Sequence, residues 1–330
     1  MNRKDDHIHL ALQQRHIRND FDVMRLPYEA LPSTKIEDIN LSTSMFKQTF
    51  KYPIFINAMT GGTETAKQIN QRLAMLAKAF QLPMALGSSS IMLKNPSLID
   101  TFSIVKDTYP NGFFIANLGA HHPLENVQKV VKQLNANAFE YHLNLGQELA
   151  MPEGDRDFIS WRKNIQEVAQ NLPIPFIVKE VGFGMNSNTM NSLHQLGVKT
   201  INVGGRGGTN FALIENARRM HAYDGLNQVG YSTLESLLMA KKIQGVDVLA
   251  SGGVQTPLDV IKSLVLGAKM VGMSSYFLHL VQENDHDSAV NKLESFIEEM
   301  KMIMLSMNVT TISQLKLTRY HVDSTSLWID

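Results

Sequence analysis

The feature that most constrains the fold of this chain is a series of eight short apolar runs separated by longer segments with helical periodicity. Alternation of this kind requires parallel strands that are joined by crossover helices. Eight such units within residues 53–280 predict an α/β fold, a (β/α)8 TIM barrel. The predicted strands cover residues 53–58, 83–86, 113–116, 138–145, 175–178, 200–203, 246–250 and 269–272.

An open doubly wound sheet is the alternative fold for the same alternation. That fold more often places its glycine-rich turn after the first strand. Here the strongest glycine signals come late, in residues 204–209 and 252–253, after the sixth and seventh predicted strands. The position of the glycines therefore favours the barrel.

The segments at the two ends complete a single domain that spans residues 1–330. An N-terminal arm covers residues 1–44, and residues 7–18 within it have the character of a helix. A C-terminal helical extension covers residues 285–330, and an apolar stripe between residues 290 and 304 predicts packing on the barrel or on a neighbouring subunit.

One barrel helix carries unusually complete boundary signals. Thr256 can cap its start, Pro257 suits its first turn, and Asp259 favours the positive N-terminal end. Gly267 can end it. We therefore predict a helix that follows residue 256 and ends near residue 266.

Charge and composition exclude several classes of function. Lys+Arg and Asp+Glu are both 31, so the net charge gives no reason to expect a nucleic acid or membrane partner. The absence of cysteine excludes disulfides, thiolate metal sites and cysteine nucleophiles. The first residues lack the apolar core of a signal peptide, and no window approaches the length of a membrane span, so we expect a cytoplasmic protein.

Polar side chains cluster at the end of the fourth predicted strand, where His142, Asn144, Gln147 and Glu148 lie within seven residues. An imidazole, two amides and a carboxylate at a strand's carboxyl end can hold a ligand or a hard metal ion. Glu148 with Gln147 could bind Mg²⁺, which proteins usually hold with only one or two carboxylates. The alternative is an exposed polar strand end without a ligand.

The last two predicted strands are followed by small residues that suit a phosphate. Residues 251–254 and 273–275 occupy the loops that commonly hold phosphate in such barrels. Lys179 ends the fifth predicted strand, where a buried cation needs a partner. It could balance an anionic cofactor or form a Schiff base, and its position alone does not choose between them.

Taken together, these motifs resemble type 2 isopentenyl-diphosphate isomerase over nearly the whole chain. The segments that carry the resemblance are residues 3–7, 57–62, 142–148, 151–154, 179–184, 205–209 and 251–253. The resemblance implies an FMN-dependent enzyme that interconverts isopentenyl diphosphate and dimethylallyl diphosphate. It also implies Mg²⁺, NADPH or NADH as the reductant of the flavin, and a homotetramer or homo-octamer.

The resemblance also implies roles for individual residues. Those that correspond to FMN contacts are Met59, Thr60, Gly61, Ser88, Asn117, Lys179, Thr209, Gly252, Gly253, Val254, Met273 and Ser274. Those that correspond to substrate contacts, or line the same mouth, are Arg3, Lys4, His142, Asn144 and Gln147, with Glu148 as the Mg²⁺ ligand. Gln147, His142 and Lys179 are the candidate catalytic residues.

Two positions depart from the family pattern. Many relatives have Gly-Ser-Gln-Arg where this chain has residues 87–90, so a basic contact to the diphosphate is missing at Ser90. Many relatives also have serine where Gly204 stands. The first departure removes an expected cation from the mouth, and the second removes a hydroxyl from the expected FMN site.

Two other functions compete with the isomerase. A 2-hydroxy-acid oxidase on the same barrel would place a catalytic histidine after the sixth strand, where residues 204–207 contain none. A non-catalytic flavin-binding scaffold would have no need for Gln147, Glu148 and Lys179 in one mouth. Turnover of 2-hydroxy acids with oxygen would support the first, and FMN binding without isomerisation the second.

Overall fold

The computed structural model describes residues 3–13, 20–323, 325 and 327, and only the backbone of residues 3 and 11. The strands in chain order are β1 Met24–Arg25, β2 Thr43–Met45, β3 Gln48–Phe50, β4 Ile54–Ile56, β5 Met84–Ala85, β6 Phe114–Gly119, β7 Ala138–Leu143, β8 Phe176–Glu180, β9 Thr200–Asn202, β10 Asp247–Ser251, β11 Met270–Met273 and β12 His321–Val322. The α-helices are α1 Arg3–Gln13, α2 Glu64–Phe80, α3 Ser90–Lys94, α4 Asp100–Thr108, α5 Leu124–Leu134, α6 Leu145–Ala150, α7 Ser160–Asn171, α8 Ser187–Gln195, α9 Phe211–Asn216, α10 Thr233–Ala240, α11 Pro257–Val265, α12 Ser275–Glu283, α13 His286–Ser306 and α14 Ile312–Leu315.

Strands β4 to β11 form a closed parallel barrel in which β11 pairs with β4. Each predicted strand overlaps one of these, so the predicted TIM barrel is confirmed and the open doubly wound sheet is wrong. Buried strands such as β4 are apolar throughout because helices cover one face and packed side chains fill the other. The fourth predicted strand is shorter than expected, since Leu145 begins α6.

The register of the barrel brings polar residues together inside it. Asn117 pairs with Glu140, and Lys179 pairs with both His142 and Asn202. Paired residues of adjacent parallel strands point to the same side, as do residues two apart on one strand. These five side chains therefore share the interior at the carboxyl end of the barrel.

The boundary signals of α11 act as predicted. The Thr256 hydroxyl accepts a hydrogen bond from the Asp259 amide, and Pro257 is the first helical residue. Gly267 follows the helix with φ of +104°, a backbone conformation that favours glycine. The cap and the terminating glycine fix both ends of the helix that follows β10.

The two ends of the chain are tied together in a way that the sequence pattern does not predict. Strand β1 pairs antiparallel with β12, with Met24 opposite Val322. Two-residue strands carry no periodicity, so the pairing depends on the tertiary arrangement. The helix predicted for residues 7–18 is α1, which begins earlier, and residues 14–18 lie outside the described residues.

The C-terminal extension packs on the barrel's own helices. Helix α13 lies against α2 and α11, and it buries Leu293, Phe296, Ile297, Met300 and Met304. The predicted apolar stripe is thus covered within the chain. Across the ranges that the structure describes, no helix has both the length and the apolar character that a membrane crossing requires.

Candidate active site

A cavity of about 650 Å³ opens at the carboxyl end of the barrel, where active sites of this fold lie. Each barrel strand, or the loop directly after it, contributes to the wall. In strand order these residues are Asn57, Gly87, Asn117, His142, Lys179, Gly204, Ser251 and Met273. The N-terminal helix α1 adds Lys4, His7 and Ile8 to the same wall. The arm therefore covers the mouth of its own barrel.

Most of the predicted site residues lie on this wall. They are Lys4, Met59, Thr60, Ser88, Asn117, His142, Asn144, Gln147, Glu148, Lys179, Thr209, Gly252, Gly253, Val254, Met273 and Ser274. Gly61 lies behind the wall, where an added Cβ would be 2.1 Å from the Phe102 ring. The side chain of Arg3 lies outside the described residues.

The loops after β9 and β10 form a cradle of bare backbone, here called the glycine cradle. A Cβ on Gly252 would lie 2.0 Å from the Gly205 carbonyl oxygen, and one on Gly208 would lie 2.7 Å from the Gly253 nitrogen. Gly252 and Gly253 also have φ of +91° and +71°, which side chains disfavour. The two loops can pack this closely only with glycine, and such backbone can approach a phosphate closely.

Two buried polar atoms of the same cavity wall suit a polar ligand. Among the described residues, the Asn57 Oδ1 and Thr60 Oγ1 atoms are buried without a hydrogen-bond partner. Buried polar atoms normally have partners, so a polar ligand in the cavity suits them. Gly204 has φ of +48°, and its Cβ would lie 2.0 Å from the Glu180 carbonyl oxygen, so serine does not fit this backbone.

A hydrogen-bonded chain orients His142. The Asn117 Nδ2 donates to Glu140 Oε1 over 2.6 Å, so the Asn117 Oδ1 faces His142 Nδ1 at 2.7 Å. The His142 Nδ1 then carries the proton and Nε2 remains an acceptor. Burial and the positive charge of Lys179 hold the pKa of His142 well below its usual value, so the ring is neutral near pH 7.

Glu140 itself is fully buried, and its second oxygen has no hydrogen-bond partner among the described residues. Burial raises the pKa of this carboxyl, while Lys179 and the bond from Asn117 act in the opposite direction. The Lys179 ammonium is 5% exposed and donates to the Glu180 carbonyl oxygen over 3.1 Å. Burial raises the pKa of Glu180 to about 8. The floor of the cavity is therefore a buried polar layer.

Glu215 fixes the amide of Gln147. The Gln147 Nε2 donates to Glu215 Oε1 over 2.8 Å, which leaves the Gln147 Oε1 as an acceptor. His7 Nε2 lies 3.1 Å from the same oxygen, and Arg218 pairs with the other. Burial alone would raise the pKa of Glu215, but the contacts with His7, Gln147 and Arg218 outweigh it and lower that pKa to about 2. The carboxylate thus joins α1, α6 and α9.

Glu148 follows Gln147 on α6, and both of its carboxylate oxygens accept hydrogen bonds. Its Oε1 accepts from Asn144 Nδ2 over 2.7 Å, and its Oε2 accepts from the Asp155 amide over 2.9 Å. The Asn144 Oδ1 is buried without a partner among the described residues, so a second oxygen ligand is available beside the carboxylate. Within the described ranges, no group of three or more histidines or carboxylates is arranged for a metal. A hard cation here would need ligand or water oxygens as well.

The sequence interpretation missed several polar residues of this region. Glu140 has a signal, because it precedes His142 by two residues on one strand and so shares its face. No local sequence pattern marks Glu215 as a site residue, because 68 positions separate it from Gln147. His121 and His122 also reach the wall, from the loop that follows β6.

Comparison with known proteins gives a consistent result along the chain. A family model described as FMN-dependent dehydrogenase matches residues 115–322. An isopentenyl-diphosphate delta-isomerase of Staphylococcus epidermidis is 43% identical over 317 residues, which cover 95% of this chain and 91% of the relative. One of Staphylococcus aureus is 45% identical over 316 residues, which cover 95% and 90%.

Solved structures share the fold at much lower identity. A mutant flavocytochrome b2 with benzoylformate has a TM-score of 0.71 and 16% identity, and the match covers 100% of this chain and 86% of that one. A mandelate oxidase mutant has a TM-score of 0.66 and 15% identity over 96% and 92% of the two chains. At such identities the likeness concerns the fold alone.

Proposed function

Because the chain belongs to the isopentenyl-diphosphate delta-isomerases of the FMN-dependent type, we propose that its mouth holds the substrate diphosphate between α1 and α6 and the flavin on the barrel floor. The enzyme interconverts isopentenyl diphosphate and dimethylallyl diphosphate with the assistance of FMN. The observation that carries the proposal is one cavity wall that holds Lys4, Gln147 and Glu148 together with Lys179 and the glycine cradle. The 2-hydroxy-acid oxidase alternative is weaker, because residues 203–210 contain no histidine.

The floor and the glycine cradle support binding of FMN through its phosphate and its ring. We assign the contacts to Met59, Thr60, Gly61, Ser88, Asn117, Lys179, Thr209, Gly252, Gly253, Val254, Met273 and Ser274, with Gly61 shaping the wall from behind. When bound and reduced, FMN supplies the acidic group for the proton shift. Lys179 supplies a buried positive charge against the cofactor.

Two side chains of the mouth prepare the proton shift on the substrate. An unactivated alkene is a poor base, so its acid must act in a site that excludes water. The Gln147 Oε1 and the His142 Nε2 both remain hydrogen-bond acceptors, because Glu215 and Asn117 fix the opposite atoms. We propose that these two acceptors line the reacting end of the site and that Gln147 relays the departing proton.

Glu148 and the arm support binding of the diphosphate. We propose that Glu148 holds Mg²⁺ through one carboxylate, with diphosphate oxygens and water completing the shell. Lys4, Arg3 and Asn144 contribute the remaining contacts to the substrate. NADPH or NADH as the reductant, a homotetramer or homo-octamer, and a cytoplasmic location complete the proposal.

An anaerobic isomerase assay tests the function directly. We expect purified protein with FMN, Mg²⁺ and NADPH to convert isopentenyl diphosphate to dimethylallyl diphosphate, and to lose activity when the flavin is left oxidised. A parallel assay supplies 2-hydroxy acids and oxygen. Turnover of the acids without isomerisation would support the oxidase instead.

A further inference from the structure

A polar cluster on the wall has no role in the function described so far. Helix α3 contributes Ser90 and Lys94, and the loop after β6 contributes His121 and His122. All four line the same cavity as Lys4 and Glu148. These four residues are called the mouth cluster below.

Hydrogen bonds give the mouth cluster a defined direction of donation. Asn126 Nδ2 lies 3.1 Å from His122 Nδ1, and because an amide nitrogen only donates, this ring nitrogen accepts. The His122 Nε2–H then donates to Ser90 Oγ over 2.9 Å. The Ser90 hydroxyl can in turn donate to Ser88 Oγ at 3.0 Å, which leaves the Ser88 hydroxyl hydrogen for a ligand. The chain of bonds thus ends in a donor at the cavity.

The orientation of His122 is held firmly at neutral pH. Its own carbonyl oxygen accepts a hydrogen bond from the Tyr141 hydroxyl over 2.5 Å. Burial, together with the charges of His121 and Lys94, lowers the pKa of His122 to about 4. The ring is therefore neutral near pH 7, and the tautomer that donates to Ser90 persists.

The mouth cluster also supplies positive charge at the rim. Among the described side chains, the lysines on the wall are Lys4 on the arm, Lys179 on the buried floor and Lys94 at the rim. The rings of His121 and His122 are in contact in a tilted arrangement, with centroids 4.2 Å apart. Burial is the main cause of the lowered pKa of His121; Asp155 and Glu148 raise that pKa and Lys94 lowers it, so the ring is within the electrostatic reach of all three charges. The wall that carries Glu148 therefore also carries the ammonium of Lys94 and the hydroxyls of Ser88 and Ser90.

We propose that the mouth cluster is the subsite for the terminal phosphate of the diphosphate and sets the enzyme's preference for diphosphates over monophosphates. The inference rests on the proposed function, because it assumes that the diphosphate binds in this cavity beside Glu148. Lys94 contributes charge and His121 a ring donor, and the chain from His122 through Ser90 leaves one hydroxyl hydrogen, that of Ser88, to donate to a ligand in the cavity. Hydrogen bonds to charged groups are the strong class of such contacts.

Binding of inorganic pyrophosphate and of inorganic phosphate to the FMN-loaded enzyme, with Mg²⁺ present, tests the subsite. We expect Lys94→Gln combined with His121→Asn to weaken pyrophosphate binding about tenfold or more, since one lost charge-assisted contact is worth about 1.5–3 kcal/mol. Binding of phosphate, which lacks a second phosphoryl group, should change less than about twofold. Lys129→Gln on the exposed face of α5 is the matched control and should change neither.

Turnover gives a second readout. The double variant should raise the KM for isopentenyl diphosphate with little change in kcat. The ratio of kcat/KM for isopentenyl diphosphate to kcat/KM for isopentenyl monophosphate should fall. Lys94→Gln alone, at an exposed position, keeps the test valid if the double variant fails to fold. Unchanged pyrophosphate binding, or an equal loss for phosphate and pyrophosphate, overturns the subsite. A wild-type enzyme that neither isomerises nor binds pyrophosphate overturns the proposed function instead.

Discussion

At the scale of single residues, Glu148 is the carboxylate proposed to hold Mg²⁺. We expect Glu148→Gln to raise the Mg²⁺ concentration needed for half-maximal activity and to weaken substrate binding, because an amide replaces the one anionic ligand. FMN content should stay unchanged. Glu153→Gln, which alters a neighbouring carboxylate of the wall, is the control. If the Mg²⁺ dependence of Glu148→Gln equals that of the wild type, Glu148 is not the Mg²⁺ ligand.

The buried carboxylate of Glu215 gives a pH prediction. Its pKa is lowered from 4.5 to about 2 in the folded protein. Ionised Glu215 therefore stabilises the folded protein at pH values above the unfolded pKa near 4.5. This contribution to the unfolding free energy is lost as the pH falls towards about 2. The gap corresponds to roughly 3 kcal/mol of unfolding free energy.

Chemical denaturation between pH 6 and pH 2.5 checks this prediction. We expect the unfolding free energy of Glu215→Gln to fall less steeply with acid than that of the wild type. Glu153→Gln should behave like the wild type, because that carboxylate is about half exposed and its ion pair with Arg218 contributes little. Equal slopes for wild type and Glu215→Gln would show that folding does not lower the pKa of this carboxyl.

At the scale of elements, helix α1 is the part of the arm that reaches the site. Lys4 and His7 lie on the wall, His7 lies 3.1 Å from Glu215, and Asp5 accepts a hydrogen bond from the Thr63 hydroxyl over 2.9 Å. The helix thus covers the mouth through contacts with α2 and α9. The position of Lys4 on this wall supports the proposed contact with a bound diphosphate.

Deletion of the first four residues tests the role of the arm. We expect the KM for isopentenyl diphosphate to rise strongly, with FMN affinity unchanged, because we propose that Arg3 and Lys4 contact the substrate and not the flavin. Lys132→Ala on α5 controls for the loss of one exposed positive charge. A KM that does not move would reduce the arm to a cover without a binding role.

At the scale of the whole molecule, cofactor binding and folding are coupled through the barrel's polar floor. Bound FMN would supply partners for Asn57 and Thr60 and would occupy the glycine cradle. A ligand that binds only the folded state stabilises it, by about 2.7 kcal/mol at one hundred times its Kd. Removal of FMN should therefore lower the unfolding temperature of the whole domain.

Thermal unfolding of the apoprotein with FMN or with riboflavin separates the two parts of the site. Riboflavin lacks the phosphate, so we expect it to raise the unfolding temperature less than FMN at equal concentration. ADP, which carries phosphate without the flavin ring, is the control for the cradle alone. Equal stabilisation by FMN and riboflavin would show that the loops after β9 and β10 do not hold the phosphate.

The sequence by itself determined the barrel, because strand and helix patterns are local and eight alternating units leave few ways to bury their apolar faces. It also determined most of the wall, since the carboxyl ends of parallel strands must meet at one mouth. Val254, Thr209 and Lys179 could be placed there for that reason.

Only the tertiary structure decided which polar groups touch. Glu215 contacts Gln147 across 68 positions, Glu140 fixes His142 through Asn117, and α1 covers the mouth of its own barrel. No local pattern encodes such pairs, because they arise from strand register and loop packing between distant segments. For the same reason, the sequence did not predict the pairing of β1 with β12. It also did not predict the mouth cluster, whose residues lie on two separate elements.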